Sequence, residues 1–298
     1  MTQHATTIHG SIVAIVTPML EDGSVDWDGL KQLVEWHIEQ GTHSIVAVGT
    51  TGEASTLDVE EHKRVIAEII RTANKRIPII AGTGANSTRE AIELTQEALD
   101  LGADAALLVT PYYNKPTQEG LYQHYKAIAE AVDIPQILYN VPGRTGVDMH
   151  NDTVIRLSKI KNIIGIKDAT GDIARGTELI NALDATEMVV FSGDDPTAFE
   201  LILNGARGNI SVTANVAPAV MSKMCEAALA QNREEAVKEN TQVAQLHEIL
   251  FCESNPIPVK WALHQMGKMG TGIRLPLTPL AEKFRTPLHD ALKATHVI

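Results

Sequence analysis

The sequence predicts an α/β protein, a (β/α)8 TIM barrel with a small C-terminal helical extension. Eight short, β-branched apolar segments recur through the first three-quarters of its 298 residues. Each is continuously apolar rather than alternating, which is typical of parallel strands covered by helices. Stretches with the apolar periodicity of amphipathic helices lie between them.

The eight segments follow one another at intervals of roughly 20–35 residues, as a barrel requires. An open doubly wound sheet also alternates strands and helices, but it usually has fewer strands, and the sequence has no G-x-G-x-x-G loop. We therefore favour the barrel. The segments are SIVAIVTP from Ser11, SIVAVGT from Ser44, IPIIAGTG from Ile77, AALLVTP from Ala105, IPQILYN from Ile134, NIIGIKDATG from Asn162, MVVFSGDD from Met188 and GNISVTAN from Gly208.

Two of the intervening helices carry start signals. Ser87, followed three residues later by Glu90, predicts a capping box that opens a helix ending near Leu101. Asp58 begins a second helix in the same way, with the pattern Asp-x-x-Glu. Both helices carry apolar residues on one side, so we expect them to pack against the barrel.

The strand-like segments stop after Asn215, and the chain from about residue 218 reads as helices. No linker rich in Gly, Ser or Pro separates the two parts. We predict a catalytic barrel over residues 1–225 and a C-terminal helical region over residues 226–298 that packs firmly against it.

Composition excludes several classes of protein. Acidic residues number 37 and basic ones 25, giving a net charge of -12, so we expect no nucleic-acid partner. The two cysteines, Cys225 and Cys252, have no metal-ligand spacing and are expected to be reduced thiols. We find no signal peptide and no apolar segment long enough to cross a membrane, and predict a cytoplasmic protein.

Lys167 is the first catalytic candidate, because catalytic groups in barrels lie at the C-terminal ends of strands. The sixth segment ends at Lys167-Asp168, and strand alternation puts Ile163, Gly165 and Lys167 on one face. If that face is inward, partial desolvation favours a neutral amine, which attacks a ketone to form an imine. Position alone favours the alternative, a lysine that extends to solvent.

Three neighbouring segment ends favour the reactive lysine. Tyr139 ends the fifth segment and is placed to move protons; alone, it reads as an ordinary half-buried tyrosine. The motif GTTGE, with Thr50 and Thr51, is typical of a loop that binds a small carboxylate. It is equally typical of a tight turn in which the threonine hydroxyls hydrogen-bond to their own backbone. Arg144, in VPGRTG, suits a second carboxylate, or else a surface ion pair.

Tyr112 and Tyr113 are adjacent aromatics after the fourth segment, in TPYYNKP. Exposed tyrosines often anchor interfaces, and the alternative is packing on the next helix. The sequence also lacks H-E-x-x-H, clustered Cys and His, a P-loop and a G-x-S-x-G elbow. We therefore expect neither a metal nor another cofactor.

Taken together, the motifs GTTGE, VTPYYNKP, YNVPGRTG, GIKDATG, SGDD and NISVTANV, in this order, resemble the dihydrodipicolinate synthase family of pyruvate-dependent aldolases. The resemblance covers essentially the whole chain, including NPIPVKWAL from Asn255. It implies a homotetrameric (β/α)8 enzyme of lysine and diaminopimelate biosynthesis. Such an enzyme condenses pyruvate with L-aspartate 4-semialdehyde.

The resemblance also implies a role for each matching residue. Lys167 is the Schiff-base lysine and Tyr139 the proton donor and acceptor, while Thr50 and Tyr113 complete a proton relay. In this family Tyr113 is supplied by a neighbouring subunit. The matching substrate-binding positions are Thr51 and Ile210 for pyruvate, the latter through its backbone, and Arg144 for the carboxylate of the semialdehyde.

A further implication is inhibition by L-lysine at a subunit interface. Glu90 also fits the capping box, and His62 reads equally as a helix-boundary residue. Val59 and Ala54 depart from a lysine-sensitive pattern that has histidine and serine there, so the potency of inhibition is open. The matching positions are Ser55, His62, Asn86, Glu90 and Tyr112.

Two other functions remain open from the sequence. Another pyruvate lyase, such as N-acetylneuraminate lyase or a keto-deoxy sugar-acid aldolase, shares the lysine and tyrosine but does not need Arg144. A non-catalytic ligand sensor keeps the pocket, although such a descendant is expected to have lost some catalytic residues. All five residues that such a descendant would be expected to lose in part are present, namely Lys167, Tyr139, Thr50, Tyr113 and Arg144.

Overall fold

The computed structural model describes residues 8–298. Within that range, eight parallel strands pair in chain order, and the eighth pairs with the first to close a barrel. The predicted (β/α)8 fold is confirmed. The strands are β1 Gly10–Ala14, β2 Ser44–Ala47, β3 Ile79–Gly82, β4 Ala105–Val109, β5 Gln136–Asn140, β6 Ile163–Asp168, β7 Val189–Ser192 and β8 Gly208–Ser211.

Helices follow the strands and surround the barrel, so the C-terminal ends of the strands open onto one set of loops. Short 3₁₀ turns follow β2, β7 and β8. The α-helices of residues 8–298 are α1 Trp27–Glu39, α2 Val59–Ala73, α3 Thr88–Leu101, α4 Gln118–Ala131, α5 Pro142–Thr145, α6 Asn151–Leu157, α7 Ile173–Leu183, α8 Ala198–Leu203, α9 Pro218–Leu229, α10 Arg233–Ile249, α11 Ile257–Gln265 and α12 Glu282–Ala294.

The buried apolar residues form two separate clusters, one inside the barrel and one outside it. Ile12, Ile137 and Phe191 belong to the inner cluster, whereas Leu138 and Ile166 belong to the larger cluster between strands and helices. Seven of the eight strands in the described chain contribute apolar side chains to both clusters, whereas β8 contributes only Ile210, to the inner one. This explains why the strand segments read as continuously apolar in the sequence.

Strand alternation predicts that Ile163, Gly165 and Lys167 lie on the same face of β6, and this prediction is wrong for Ile163. The register of β5 with β6 shifts between Gln136 and Ile137, so that Gln136 pairs with Ile163 but Ile137 pairs with Gly165. The extra residue of this bulge turns Ile164 into the inner cluster and leaves Ile163 in the outer one. Gly165 and Lys167 keep the expected inward face.

The two predicted capping boxes have different outcomes. At α2, Asp58 accepts from the Glu61 amide while the Glu61 side chain accepts from the Asp58 amide, so this box is confirmed. At α3, the Ser87 side chain makes no capping hydrogen bond, so that prediction is wrong. Burial, followed by the negative charge of Glu90, raises the pKa of the Tyr112 phenol.

The C-terminal helices pack onto the barrel. Helix α9 contacts β1, and α10 packs on α9. The predicted boundary at residue 225 lies within α9, and the division into two parts stays a prediction. No helix within residues 8–298 is both long and apolar enough to cross a membrane. The predicted absence of a signal peptide concerns mainly residues 1–7, outside the described residues.

Candidate active site

Lys167 and Tyr139 face each other at the mouth of the barrel. They are register partners on β6 and β5, and they are only 6% and 7% exposed. The Lys167 Nζ lies 4.2 Å from the centre of the Tyr139 ring. Lys167 therefore does not extend to solvent as its position alone suggested. Its amine is held beside an aromatic ring and a phenol.

Gly193 provides room for the lysine. It follows β7, and its amide donates to the Asp168 carbonyl at 2.7 Å. A Cβ atom at this position would lie 2.8 Å from Lys167 Cε and 2.9 Å from the Ala169 Cβ. Such distances are shorter than van der Waals contact. Any side chain at position 193 would therefore displace the lysine.

The residues that follow the pair along each strand fix the loops of the mouth. The Asn140 Nδ2 donates to Asp148 Oδ1 at 2.8 Å, and its Oδ1 accepts from the Met149 amide at 3.0 Å. Asp168 accepts from the Thr170 hydroxyl at 2.6 Å. Burial raises the pKa of the Asp168 carboxyl. These bonds fix the chain directly after Tyr139 and Lys167.

The loop after β2 carries strained backbone. Val48 and Glu53 have φ of 48° and 58°, a left-handed conformation that is especially unfavourable for a β-branched residue such as valine. Between them, Thr50 is exposed and Thr51 is 2% exposed. The Thr51 Oγ1 accepts from Asn255 Nδ2 at 2.9 Å. The two hydroxyls therefore lie in different surroundings.

A buried carboxylate fixes the end of β8. Asp195 accepts from the amides of Val212 and Thr213, at 3.1 and 2.9 Å, and from Asn209 Nδ2 at 2.7 Å. Ile210, on β8 between these partners, is 1% exposed. Its backbone is thus held in place by a side chain from the loop after β7. The SGDD motif contains Asp195, but no sequence signal indicated this role.

Arg144 and Tyr113 lie toward solvent. Arg144, on the short helix α5, is exposed, and its Nη2 donates to the Asn255 carbonyl at 3.2 Å. Tyr113 is 90% exposed and has a φ of 75°. Its amide donates to the Thr145 carbonyl at 3.4 Å. The backbone of the tyrosine is tied to the mouth while its side chain projects outward.

Three of the five candidate lysine-site residues lie together. The Asn86 Nδ2 donates to the Tyr112 carbonyl at 3.2 Å. Partial burial, reinforced by the charge of Glu90, raises the pKa of the Tyr112 phenol. His62 is buried, its Nε2 donates to the Gly82 carbonyl at 3.0 Å, and burial lowers its pKa. Ser55 is exposed on the turn before α2.

The described residues contain no group of three or more His, Cys, Asp or Glu side chains placed to hold a metal ion. The two cysteines are free. Burial raises the pKa of the Cys225 thiol, which keeps it protonated and unreactive. The chemistry available at the mouth is therefore that of an amine, a phenol, hydroxyls and a guanidinium.

Sequence reasoning missed Asn255, Gly193 and Asp195. Asn255 stood out only as part of the motif NPIPVKWAL, and its contacts with Thr51 and Arg144 join segments more than 100 positions apart in the chain. Gly193 and Asp195 follow the end of a strand, as Lys167 does. Their place at the barrel mouth was the one signal that could have indicated them.

Comparison with known proteins identifies relatives along the whole chain. Residues 7–295 match the model of the dihydrodipicolinate synthetase family. A curated protein of Marinobacter nauticus, named 4-hydroxy-tetrahydrodipicolinate synthase, is 65% identical over 292 residues. The match covers 98% of this chain and 100% of that protein.

Solved structures give the same result. A chloride-inhibited dihydrodipicolinate synthase from Acinetobacter baumannii, complexed with pyruvate, is 73% identical with a TM-score of 0.97, over 98% of this chain and 100% of that one. A second structure, of the synthase from Cyanidioschyzon merolae with lysine bound, is 36% identical with a TM-score of 0.92. It covers 97% of this chain and 99% of that one.

Proposed function

This chain belongs to the dihydrodipicolinate synthetase family, and on that basis we propose which of its residues carry out the reaction. The enzyme condenses pyruvate with L-aspartate 4-semialdehyde to give 4-hydroxy-tetrahydrodipicolinate, in lysine and diaminopimelate biosynthesis. Relatives that are named for this reaction and match nearly the full chain decide against the sugar-acid aldolase and the non-catalytic sensor.

The observation that carries the residue assignment is the buried pair of Lys167 and Tyr139, with Nζ 4.2 Å from the ring centre. A lysine held in this way directs its amine at the barrel mouth, where the neutral form of the amine is the nucleophile that attacks a ketone. Lys167 attacks the keto carbon of pyruvate, and the carbinolamine loses water to form an imine. Tyr139 moves protons in these steps.

The imine then allows carbon–carbon bond formation. Its protonated nitrogen draws electrons, so a proton leaves the pyruvate methyl group and an enamine forms. The enamine carbon attacks the aldehyde carbon, whose oxygen takes up a proton. The amino group of the bound semialdehyde then attacks the imine carbon, which closes the ring and releases the Lys167 amine.

Two sites are proposed for the substrate carboxylates. The pyruvate carboxylate is bound by Thr51 and by the backbone of Ile210, which Asp195 holds in place. Arg144 receives the carboxylate of the semialdehyde at the entrance, where its guanidinium is exposed. A planar guanidinium matches a carboxylate with two parallel hydrogen bonds.

Thr50 and Tyr113 are proposed to complete a proton relay with Tyr139. A side chain that is 90% exposed is poorly placed to serve its own buried lysine. It is well placed to enter the mouth of a neighbouring subunit, as the resemblance implies. We therefore propose that the enzyme assembles as a homotetramer and that Tyr113 acts on its neighbour.

L-lysine is the proposed feedback inhibitor, in keeping with the lysine-bound relative. The acidic Glu90, Asn86 and Tyr112 suit an amino acid whose side chain is cationic, and Ser55 and His62 complete the proposed site. Val59 is 52% exposed and supplies no hydrogen bond where a histidine would. We expect this difference to weaken inhibition rather than abolish it.

The cytoplasm is the proposed location. The reactants are small and polar, and the chain has two free cysteines rather than a disulfide framework. Fractionation of the source cells tests the location. Activity in the fraction that lacks membranes and secreted proteins supports it.

The direct test of the function is an activity assay with pyruvate and L-aspartate 4-semialdehyde, with and without L-lysine. Turnover of this pair, together with no cleavage of N-acetylneuraminate or of keto-deoxy sugar acids, is expected. If the enzyme cleaves a sugar acid and leaves the semialdehyde unused, the proposed roles of the carboxylate sites are wrong.

A further inference from the structure

Asn255 contacts both proposed carboxylate sites from the C-terminal region. It lies between α10 and α11 and is 5% exposed. Its Nδ2 donates to Thr51 Oγ1 at 2.9 Å, and its carbonyl oxygen accepts from Arg144 Nη2 at 3.2 Å. One residue therefore joins the group assigned to the pyruvate carboxylate to the group assigned to the semialdehyde carboxylate.

The amide of Asn255 determines how the Thr51 hydroxyl is used. A threonine hydroxyl has one hydrogen to donate and two lone pairs to accept with. Asn255 occupies a lone pair, which leaves the hydrogen of Thr51 free to donate. A carboxylate only accepts hydrogen bonds, so a hydroxyl held in this way is a donor suited to pyruvate.

The Asn255 side chain makes no competing contact that explains its burial. Its Oδ1 is buried and has no hydrogen-bond partner among residues 8–298. A buried amide that served only to satisfy the fold would be expected to bond at both ends. The polar contact of this side chain within the described chain is thus directed at Thr51.

Neighbouring contacts hold both segments in place. Lys260, on α11, forms a buried ion pair with Glu53, at the end of the β2 loop. Glu53 also accepts from the Arg274 amide at 3.2 Å, and Arg274 pairs with Glu61 on α2. The segment carrying Asn255 and the loop carrying Thr51 are therefore fastened together close to the contact between them.

We propose that Asn255 is a positioning residue of the pyruvate site. Its amide keeps the Thr51 hydroxyl as a donor to the substrate carboxylate, and its carbonyl holds Arg144 at a fixed separation from Thr51. The proposal rests on the proposed function, specifically on the roles of Thr51 and Arg144. Asn255 acts through Thr51 and does not touch the reacting atoms.

The first test is Asn255→Asp, which keeps the shape of the side chain but replaces the donating amide with an accepting carboxylate. The Thr51 hydroxyl then donates to the introduced carboxylate, and the new negative charge repels pyruvate. We expect the KM for pyruvate to rise about tenfold or more, with kcat reduced less than KM is raised. Unchanged kinetics in the folded variant would overturn the proposal.

The matched control is Asn162→Asp. Asn162 lies just before β6, at the opposite end of the barrel, and its Nδ2 donates to the carbonyls of Ala129 and Val132 at 2.9 and 3.0 Å. This variant loses comparable hydrogen bonds, but the partners of Asn162 are not part of the proposed pyruvate site. We expect a lower melting temperature with normal KM. A similar rise in pyruvate KM in this control would show a general loss of structure and overturn the proposal.

Asn255→Ala provides the second test and serves also if the aspartate variant does not fold. Alone it is expected to raise the pyruvate KM about fivefold, because the hydroxyl is no longer oriented. Combined with Thr51→Val it is expected to add nothing, since its effect passes through a hydroxyl that is already gone. If the fold increases in pyruvate KM of the two single variants instead multiply in the double variant, Asn255 acts independently of Thr51 and the proposal is wrong.

The wild-type enzyme separates the two possible failures. If it forms no imine with pyruvate, the proposed function fails and the positioning role fails with it. If it forms the imine and condenses both substrates while the Asn255 variants behave as wild type, only the positioning role fails.

Discussion

Lys167 is confined by groups from the two neighbouring strands and the loop that follows one of them. The Tyr139 ring on β5 lies 4.2 Å from its Nζ, Phe191 is its register partner on β7, and Gly193 leaves the space that its stem fills. Confinement restricts the rotamers available to a long side chain and keeps its amine directed at the mouth. Catalysis by imine formation depends on this alignment.

Gly193→Ala tests the confinement. The added carbon would come within 2.9 Å of Lys167 and Ala169, so the lysine must move. A displacement of about 1 Å is expected to lower kcat about a hundredfold and to slow imine formation with pyruvate. Single-turnover trapping of the imine measures the second effect directly.

The control for this variant is Gly270→Ala, where a Cβ would come no closer than 3.5 Å to the Met19 carbonyl. That distance is ordinary contact, and normal activity is expected. If Gly193→Ala also retains normal imine formation, the lysine has more freedom than the structure indicates.

Arg144→Ala tests whether the two substrate carboxylates are bound at different sites. We expect imine formation with pyruvate to be retained, because Thr51 and Ile210 are the proposed ligands of that carboxylate. The KM for the semialdehyde should rise about ten- to a hundredfold, since a hydrogen bond to a charged group contributes about 1.5–3 kcal/mol. Steady-state kinetics with each substrate varied in turn checks this, and a block in imine formation would show that the role is wrongly assigned.

At the scale of the elements, the strands were predictable and a register change was not. Continuous apolar segments indicated all eight strands of the described chain, because seven of the eight contribute apolar side chains to both clusters. The bulge that moves Ile163 outward depends on how β5 and β6 pair. Pairing of this kind is a tertiary feature that leaves no mark in the local apolar pattern.

His37, on helix α1, makes the folding stability depend on pH. His37 is fully buried, and burial, followed by the charge of Lys268, lowers its pKa to about 3. Because the unfolded state takes up a proton near pH 6.5 and the folded state does not, stability is full above that pH and falls as the pH decreases. Between about pH 7 and pH 5 the loss from this group is about 2 kcal/mol.

His37→Gln isolates this contribution. The variant lacks the titrating ring, so its free energy of unfolding should fall about 2 kcal/mol less than that of the wild type over the same interval. Denaturant unfolding at the two pH values measures the difference. Equal losses in the two proteins would indicate that the ring is protonated in the folded state.

The candidate site was predictable where chemistry lies at strand ends and unpredictable where it depends on long-range packing. Lys167 and Tyr139 follow from the rule that barrels place catalytic groups at strand ends. Asn255 reaches Thr51 from 204 positions away, and nothing local indicates which loop it meets. The local pattern at Ser87 was also insufficient, since its side chain makes no capping hydrogen bond.

At the scale of the whole molecule, the proposed homotetramer would complete the proposed site. Tyr113 is 90% exposed on the single chain, yet a proton relay requires its phenol near Lys167. A closed, symmetric assembly resolves this difference, because each subunit then gives its tyrosine to a neighbour and receives one in return.

Complementation between inactive variants tests the exchange. Lys167→Ala and Tyr113→Phe are each expected to have very low activity. In a hybrid pair, the subunit with intact Lys167 receives an intact Tyr113 from its partner. Random mixing makes about half of the pairs hybrid with one working site each, so about a quarter of wild-type activity should return. Activity no greater than the sum of the separate variants would mean that Tyr113 does not act across the interface.

The most direct measurement of the central claim is reduction with sodium borohydride in the presence of pyruvate, followed by peptide mass mapping. Borohydride converts an imine into a stable secondary amine, which marks the lysine that formed it. We predict a single pyruvate-derived adduct, on Lys167, absent from Lys167→Ala and from a sample reduced without pyruvate. An adduct on another lysine, or no adduct in an enzyme that turns over both substrates, would contradict catalysis through Lys167.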